Sequence, residues 1–457
     1  MFERPHVQDG ISGGLEFGVA GTAKVSPANG GSSAPHSGIS KLHVTAAVIG
    51  NALEFYDFTT FTFFAAQIGR AFFPSHDPLV GLMASLATFG AGFATRPLGA
   101  IVIGSIGDRF GRRPAMLISF FLMGAAILAL ALCPSYAMIG PWAPVLVVAI
   151  RLIQGFALGG EIGPTTAFLL EAAPPGRRGL FTGLQSVSQN VAALLAGTVG
   201  LILANLFDSS QLDQFGWRIA FLIGALMLPF GLLVRRTLPE TLHHAEPAHL
   251  APETFNPAQL RVILCSIAIL VGGTVATYVQ QYTTTYAGSI LHMKATVAFS
   301  ATMVYGATGI VANLVGSILS DRFGRRPIMI APRVLLFLII VPAFWLLNRN
   351  RDGATLALIT LVTTACASTS GGVIMASITE SLRKASRSTV LGIVYACVIA
   401  IFGGTTQVMV TWLIKATGDV LAPAYFYMAA TAIGLTGMFL IRESAPAMRQ
   451  RRPHWES

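Results

Sequence analysis

A short basic sequence occurs twice in this chain, each time between two long apolar stretches. The first copy, GSIGDRFGRRP, spans residues 104–114, and the second, GSILSDRFGRRP, spans residues 316–327. Asp108 and Asp321 are the matching acidic residues, and close to half of the 457 residues separates them. A repeat at this distance indicates a chain built from two related halves, so the structure around the first copy is expected to recur around the second.

The apolar stretches are long enough to cross a membrane. Hydrophobic residues make up 53% of the chain and charged residues 11%, and the mean hydropathy is +0.66, which lies outside the usual composition of a soluble protein. A membrane-spanning helix needs about 20 apolar residues. We therefore predict an all-α polytopic membrane protein with twelve transmembrane helices in two pseudo-symmetric six-helix bundles. The predicted spans are residues 42–67, 79–106, 114–133, 144–173, 178–205, 216–235, 257–287, 295–319, 327–347, 353–381, 386–414 and 421–441.

The segments outside the spans divide the chain into five parts. The first 40 residues are rich in Gly, Ser, Pro and Ala and have no apolar core, which indicates a disordered tail rather than a secretory signal. The stretch between the sixth and seventh spans combines Pro, His and charged residues, as expected of a linker. The predicted parts are a disordered cytoplasmic tail (1–40), a six-helix bundle (41–236), a cytoplasmic linker (237–256), a second six-helix bundle (257–442) and a cytoplasmic tail (443–457).

Lys and Arg are concentrated on one side of the predicted membrane. Of the 30 Lys and Arg residues, 21 fall in the two tails, the two repeated loops and the other loops of that side, and six fall on the opposite side. Loops rich in Lys and Arg face the cytoplasm. We therefore expect a multi-pass protein of the cell inner (plasma) membrane, with both termini and both repeated loops in the cytoplasm.

Several other classes of function are disfavoured. The formal net charge is +10, but the basic residues are spread over short loops rather than collected in a patch, so we expect no nucleic-acid partner. The four cysteines lie in separate apolar stretches without paired spacing, so neither a disulfide framework nor a metal site is expected. The sequence contains no phosphate-binding loop, zinc-protease helix or nucleophile elbow, so we expect neither an enzyme nor a bound cofactor.

The repeated loop and several motifs inside the spans resemble one transporter family. An Asp-Arg-x-Gly-Arg-Arg loop after the second span, and again after the eighth, resembles the signature of the major facilitator superfamily. Within it the chain is similar to the metabolite:proton symporters, and among these to citrate and tricarballylate symporters. The resemblance extends over residues 41–442 and is carried by residues 50–58, 96–99, 151–155, 169–177 and 185–189, besides the two loops.

The resemblance implies a secondary transporter that imports a tricarboxylate or dicarboxylate by proton symport, with alternating access to a site between the two bundles. Its expected partners are a small carboxylate, protons and the lipid bilayer. It is expected to work as a monomer, with H⁺ as the coupling ion and no cofactor. Other branches of the same family carry a zwitterion or a monoanion, such as betaine, shikimate or 2-oxoglutarate, and this alternative stays open.

Acidic residues inside the spans are candidates for proton coupling, because a charge at the membrane centre is costly and needs a partner or a function. Asn51, Glu54 and Asp57 are three residues apart, so they share one face of the first helix. The predicted proton-coupling residues are Glu54, Asp57 and, in the fourth span, Glu161. The alternative for the first two is a charge network that stabilises helix packing.

Arginines, amides and tyrosines inside the spans are candidates for substrate binding. A buried guanidinium must pair with a carboxylate of the protein or of a ligand. Arg96, which precedes the helix-weakening Pro97, is predicted to bind substrate or to alternate between substrate and Asp57, with a purely structural ion pair as the alternative. Polar residues also form one stripe in the fifth span and one in the seventh. Such stripes would be unsatisfied if they faced lipid, so a central polar cavity is expected. The stripes are Gln185, Ser188 and Gln189 in the fifth span, and Tyr278, Gln281, Tyr282, Thr285 and Tyr286 in the seventh. The predicted substrate-binding residues are Asn51, Arg96, Arg151, Gln154, Gln185, Gln189, Gln281, Tyr282, Tyr286 and Tyr395.

Charged residues at the loop ends of the spans are predicted to form a gating latch, as the repeated loops do in the resembling superfamily. Asp108 and Asp321 are each expected to cap the N-terminus of the following helix and to attract nearby arginines. Arg333, six residues beyond the second loop, is expected to reach the membrane surface rather than take part in a site. The predicted latch residues are Asp108, Arg109, Arg112, Glu171, Arg178, Asp321, Arg322, Arg325, Glu380 and Arg387.

Overall fold

A computed structural model describes most of the chain between residues 41 and 445. The described residues are 41–110, 112–159, 166, 169–170, 173–174, 176–236, 257–383 and 387–445. They belong to one compact unit. The predicted tail 1–40, the predicted linker 237–256 and residues 446–457 lie outside the described residues.

The first half, which we define as residues 41–236, is helical in each of its predicted spans. Two spans are interrupted. The first breaks at Phe64, and the second breaks at Thr95, directly before Arg96 and Pro97, because a proline ring clashes with the preceding turn of a helix and supplies no N–H. The helices are α1 Lys41–Phe63, α2 Ala65–Phe72, α3 Pro78–Ala94, α4 Arg96–Phe110, α5 Arg112–Leu132, α6 Trp142–Leu158, α7 Arg178–Leu206 and α8 Trp217–Arg236, with short turns at Tyr136–Ile139 and Ser209–Gln211 and a π-helical segment at Leu212–Gly216.

The second half, which we define as residues 257–445, is also helical in each of its predicted spans. Gly324 alone joins α10 to α11, and its φ of 97° lies in the left-handed region that favours glycine. The helices are α9 Pro257–Thr285, α10 Ala295–Phe323, α11 Arg325–Arg349, α12 Gly353–Ser381, α13 Arg387–Val398, α14 Gly404–Thr417 and α15 Ala422–Leu440, with π-helical segments at Tyr286–Ile290 and Ile399–Gly403.

The prediction of an all-α polytopic membrane protein is confirmed. All regular secondary structure in the described part of the chain is helical. Within that part, eight helices are long and apolar enough to cross a membrane, and two shorter apolar helices, Leu117–Leu132 and Trp142–Leu158, lie in the third and fourth predicted spans. The first and sixth predicted spans correspond to α1 with α2 and to α8. Each of the twelve predicted spans is therefore matched by a helix.

The outside of the bundle is apolar and its inside carries many polar groups. Leu338 and Trp345 on α11 are exposed, whereas Gln154 on α6 and Gln407 on α14 are fully buried. Soluble proteins show the opposite distribution. This arrangement is expected of helices that contact lipid outside and enclose a polar interior.

Several pairs of helices bring the two halves into contact, and at two of them the backbones approach closely. Along α7 and α10 the backbones approach closely, and a Cβ on Gly306 would meet the backbone of Leu194. Where α3 approaches α14, a Cβ on Gly90 would collide with the backbone carbonyl of Gly404. Small residues at such positions let transmembrane helices pack closely. The halves therefore meet directly at these two seams.

Candidate functional site

A cavity with a volume of about 120 Å³ lies between the two halves. Its walls come from α1 and α7 of the first half and from α9 to α13 of the second half. Among its described lining residues Arg333 is the one charged side chain, and none is acidic. The polar lining residues are Gln185, Ser186, Gln189, Asn190, Thr274, Thr277, Tyr278, Gln280, Gln281, Tyr305, Asn313, Arg333, Ser368 and Tyr395.

Four of the predicted substrate-binding residues line this cavity, namely Gln185, Gln189, Gln281 and Tyr395. Gln281 also interacts with Tyr305, a second residue of the cavity lining. Amide and hydroxyl groups can donate hydrogen bonds to carboxylate oxygens or accept them from other solutes. The cavity is therefore suited to a small polar solute.

Tyr282 and Tyr286 lie elsewhere, although they share a helix with the cavity residues. Thr411 Oγ1 donates a hydrogen bond of 2.9 Å to the hydroxyl of Tyr282. The hydroxyl of Tyr286 donates one of 2.8 Å to the carbonyl of Val420. Both tyrosines are buried in contacts within the second half, and neither is part of the cavity lining.

Arg333 is the cavity residue for which sequence analysis predicted a different position. Its side chain does not reach the membrane surface, since only 1% of the residue is exposed. The buried positions of α11 recur every three or four residues and include Met329, Arg333, Leu336 and Ile340. The exposed residues of α11, such as Leu335 and Leu338, are also apolar, so the sequence of this helix does not show which face is buried.

Arg96 is the second guanidinium close to the cavity. It is 5% exposed, and its guanidinium carbon lies 4.2 Å from the ring centroid of Phe93 and 5.1 Å from that of Phe58. It interacts electrostatically with Tyr278 and Tyr395, which line the cavity, and with Glu54. Its Nε has no hydrogen-bond partner, and it forms no ion pair with another described residue.

Asp57 pairs with Arg151 rather than with Arg96. Arg151 Nη1 donates a hydrogen bond of 2.9 Å to Asp57 Oδ2 and one of 2.5 Å to Gln154 Oε1, and both charged side chains are fully buried. The pair has a single hydrogen bond, because Asp57 Oδ1 and Arg151 Nε and Nη2 have no partner. A buried ion pair that leaves polar atoms unsatisfied is costly to keep.

Asn51 and Glu54 are buried on the same helix as Asp57. The amide of Asn51 donates hydrogen bonds of 2.6 Å to Ser188 Oγ and 3.3 Å to the backbone carbonyl of Gln185. Asn51 therefore holds α1 against α7 and lies behind the cavity wall. Glu161, the third predicted proton-coupling residue, lies outside the described residues.

A charge network joins the two halves at the end of the bundle that carries the repeated loops, which we call the loop end. The carboxylate of Asp321 accepts hydrogen bonds from the backbone N–H groups of Gly179, at 2.9 Å, and Leu180, at 3.1 Å, in the first turn of α7. Arg325 bonds Asp321 at 2.8 Å and Glu380 at 2.9 and 3.1 Å. A carboxylate at a helix N-terminus is stabilised by the unpaired N–H groups there. The network therefore ties three helices of the second half to the start of α7.

This arrangement differs from the expectation that Asp321 caps the helix that follows it. Asp321 lies in the last turn of α10, and helical side chains point back toward their own N-terminus, away from α11. The first backbone N–H groups of α11, those of Arg325 and Arg326, instead donate hydrogen bonds of 2.8 and 2.9 Å to the carboxylate of Glu443. Glu443, three residues beyond the end of α15, thus caps α11.

The other predicted latch residues are either exposed or outside the described part of the structure. Arg178 and Arg322 are exposed and form no ion pair with another described residue. Glu171 and the side chains of four more residues lie outside the described part of the structure. These four are Asp108, Arg109, Arg112 and Arg387.

Neutralising Glu443 is expected to reduce stability at neutral pH. Burial raises the pKa of Glu443, but hydrogen bonds from four backbone N–H groups lower it by more, so the net direction is down. A carboxylate whose folded-state pKa is depressed stabilises the fold above its unfolded pKa of about 4.3, and the contribution fades as pH falls through the folded-state value. Glu443→Gln should cost roughly 0.5–1 kcal/mol at pH 7. Thermal unfolding of purified protein at pH 7 and pH 3 measures this, and an equal deficit at both pH values would contradict it.

Contacts also cross between the halves at the end opposite the loop end. Lys415 Nζ at the end of α14 lies 2.6 Å from Asp77 Oδ2, and Asp77 also caps α3 by accepting from Leu79 N at 2.9 Å. Thr285 Oγ1 of α9 donates a hydrogen bond of 3.1 Å to the carbonyl of Thr62 in α1. A larger cavity of about 640 Å³ lies at this end. Cross-half contacts are therefore present at both ends, with the central cavity between them.

Comparison with known proteins agrees with this architecture. The model of the Major Facilitator Superfamily matches residues 47–404. The citrate-proton symporter of Klebsiella pneumoniae is 35% identical over 409 residues, which is 88% of this chain and 92% of that protein. The proline/betaine transporter of Escherichia coli (strain K12) is 29% identical over 428 residues, covering 88% of this chain and 83% of that protein.

Solved structures share the fold. The crystal structure of a D-xylose-proton symporter superposes with a TM-score of 0.72 at 18% identity, covering 90% of this chain and 99% of that one. The inward open conformation of the xylose transporter XylE from E. coli gives a TM-score of 0.70 at 17% identity, covering 88% of this chain and 97% of that one. The family match, the identity to curated relatives and the shared fold together show that this chain is a membrane transporter, not an enzyme, and that it belongs to the Major Facilitator Superfamily.

Proposed function

We propose that the protein imports a tricarboxylate or dicarboxylate by proton symport, with the central cavity as the binding site. The observation that carries the proposal is the charge of that cavity, whose described lining includes an arginine and no acidic side chain. Arg96 adds a second buried guanidinium beside the tyrosines of the wall. Guanidinium groups form strong, directional hydrogen bonds with carboxylates. The similarity to citrate-proton symporters supports the same substrate class.

Coupling to protons follows from the energetics of moving an anion into a negative-inside cell. Each net negative charge costs about 2.3 kcal/mol per 100 mV of membrane potential, so a trianion needs at least three protons to become electroneutral. Asp57, which is buried and joined to Arg151 by one hydrogen bond, is the residue that we propose carries the proton. Glu54, near Arg96, is the second candidate.

Alternating access is proposed to open one end at a time. The Asp321–Arg325–Glu380 network holds the loop end closed. We propose that this end faces the cytoplasm, together with both chain termini. The Asp77–Lys415 pair closes the opposite end. Opening either end breaks ion pairs or helix caps that cross between the halves, so the two sets of contacts favour a state in which the cavity is separated from both sides.

A pH-gradient uptake assay tests the proposed function. Purified protein in liposomes, with the external medium two pH units more acidic, is expected to accumulate labelled citrate or tricarballylate, and succinate more weakly. Accumulation should collapse when a protonophore removes the gradient. Uptake that ignores the gradient, or transport of betaine in preference to all three carboxylates, would exclude the proposal.

Replacing Arg96 with glutamine is expected to lower uptake at low citrate concentration about 10- to 100-fold, because hydrogen bonds to charged groups contribute roughly 1.5–3 kcal/mol each. The folded state should survive, because the guanidinium has no ion-pair partner among the described residues to leave behind. Initial rates over a range of citrate concentrations check this. Unchanged kinetics with Arg96→Gln would remove Arg96 from the site.

The second candidate is transport of a zwitterion or monoanion such as betaine. It is favoured by the similarity to proline/betaine transporters, at 29–30% identity over 428 residues. A quaternary ammonium would need aromatic faces or carboxylates near it. Tyr278, Tyr305 and Tyr395 supply aromatic groups in the cavity, but the described lining has no carboxylate. Competition between betaine and labelled citrate separates the two candidates.

A further inference from the structure

We propose that Arg333 is the substrate-binding residue of the second half, and that it makes the site selective for solutes with more than one carboxylate. This inference rests on the proposed function and deepens it by naming the residue that separates polycarboxylates from zwitterions. The position of Arg333 in the cavity wall follows from the packing of α11.

The guanidinium of Arg333 is buried with little to satisfy it. Its Nε points to Ser370 Oγ at 3.4 Å, which is long for a hydrogen bond, and Ser370 Oγ already donates to the carbonyl of Met329 at 2.8 Å. Its Nη1 has no hydrogen-bond partner. No acidic residue in the described part of the chain forms an ion pair with it. Tyr427 and Cys366 are the groups with which it interacts electrostatically.

A structural role does not account for such a residue. Burying a charge is expensive unless the charge is paired and hydrogen-bonded. An arginine that only filled space on this face would be replaced without loss by an apolar side chain, since its neighbours along α11 on the same face are Met329 and Leu336. Arg333 instead lines a cavity into which a carboxylate can bring acceptor oxygens.

The two arginines near the cavity belong to different halves of the protein. Arg96 stands at the start of α4 in the first half, and Arg333 lies in α11 of the second. A solute with two or more carboxylates can neutralise both guanidinium groups, whereas a zwitterion neutralises one and presents its cationic group to the other. Selectivity then comes from repulsion as well as attraction. Such a solute also contacts both halves at once, which favours their approach.

The test compares Arg333→Gln and Arg333→Lys with the wild type, both in binding to purified protein and in pH-gradient uptake. Arg333→Gln should weaken binding of citrate and tricarballylate about 10- to 100-fold, the amount that a charge-assisted hydrogen-bonded pair contributes. Binding of betaine, where measurable, should stay equal or improve. Arg333→Lys keeps the charge but loses the planar fork, so it should recover part of the affinity.

Stability without ligand gives a readout that a structural role would not produce. Arg333→Gln should unfold at the same temperature as the wild type or a higher one, and should lose most of the stabilisation that citrate gives the wild type. The matched control is Arg349→Gln, at the exposed end of the same helix beside Trp345, which should behave as wild type.

The outcomes separate the two levels of the proposal. A wild type without gradient-driven uptake of any carboxylate overturns the proposed function, whatever the variants do. An active wild type together with unchanged citrate affinity in Arg333→Gln overturns the role of Arg333 alone. The same conclusion follows if Arg333→Gln unfolds in the absence of ligand, because the residue would then be structural.

Discussion

Replacing Asp57 with asparagine is expected to abolish the accumulation of carboxylate driven by a pH gradient while leaving exchange of internal for external carboxylate intact. One pH unit corresponds to 1.36 kcal/mol per coupled proton, so a gradient of two units supports about 100-fold accumulation per proton, and the variant should lose that factor. Exchange needs no net proton movement, so it can continue without a protonatable group. Asp57 is the expected carrier because it is fully buried and Arg151 bonds only one of its oxygens.

Loss of Asp57 also leaves Arg151 buried without its partner. Breaking a buried ion pair by removing one member costs about 3–5 kcal/mol, which is a large part of the stability of a protein. A drop in uptake alone therefore cannot separate coupling from folding. Thermal unfolding of Asp57→Asn has to accompany the uptake measurement.

The double variant Asp57→Asn with Arg151→Gln resolves this difficulty. It removes both charges, so it should recover stability relative to the single variant without recovering coupled accumulation. Recovery of coupling in the double variant would show that Asp57 serves only to neutralise Arg151. Accumulation by Asp57→Asn that follows the pH gradient as in the wild type would place the proton elsewhere, with Glu54 next to be tested.

The sequence alone predicted which helix faces carry charge, but not which charges meet. The three-residue spacing of Asn51, Glu54 and Asp57 was enough to place them on one inward face of α1. The partner of Asp57 is on α6 and depends on how α1, α4 and α6 are packed together. Arg151, and not Arg96, has the matching height and direction, and no local pattern contains that information.

The same distinction explains the cavity residues. Polar stripes in the fifth and seventh spans predicted a polar interior, and Gln185, Gln189 and Gln281 do line the cavity. Tyr282 belongs to the same seventh-span stripe as Gln281, yet it faces Thr411 in α14 instead. A stripe of side chains on one helix spans an arc wide enough to meet several neighbours, so membership of the stripe does not decide which neighbour each residue meets.

Arg333 shows how a rule about single residues can mislead when the helix around it is ignored. Its closeness to the second repeated loop suggested that it reaches the surface, because long cationic side chains near helix ends often do. In the structure it lies on the buried face of α11 with Met329 and Leu336. The lipid-facing residues Leu335 and Leu338 are apolar as well, so the rotational position of Arg333 depends on how α11 packs against its neighbours.

The second large effect is expected at the seam between α3 and α14, where Gly90 lies against Gly404. A Cβ at position 90 would collide with the backbone carbonyl of Gly404, and a backbone atom cannot be moved aside by a change of side-chain rotamer. The halves would have to move apart at this seam. Overpacking of this kind costs about 1–3 kcal/mol. Because this strain lowers the population of the closed state, Gly90→Ala should reduce the transport rate roughly 10- to 100-fold.

A larger side chain at the same position should stop transport altogether. Gly90→Val places two more methyl groups on the colliding Cβ, so the halves can no longer come together at the end held by the Asp77–Lys415 pair. A carrier that cannot close one end cannot complete its transport cycle. Binding of citrate, measured by thermal stabilisation, should persist because the cavity lining is unchanged. Gly288→Ala is the control, since its Cβ would meet its nearest neighbour at 3.9 Å, an ordinary contact. Wild-type transport by Gly90→Val would mean that the halves never pack at this seam during the cycle.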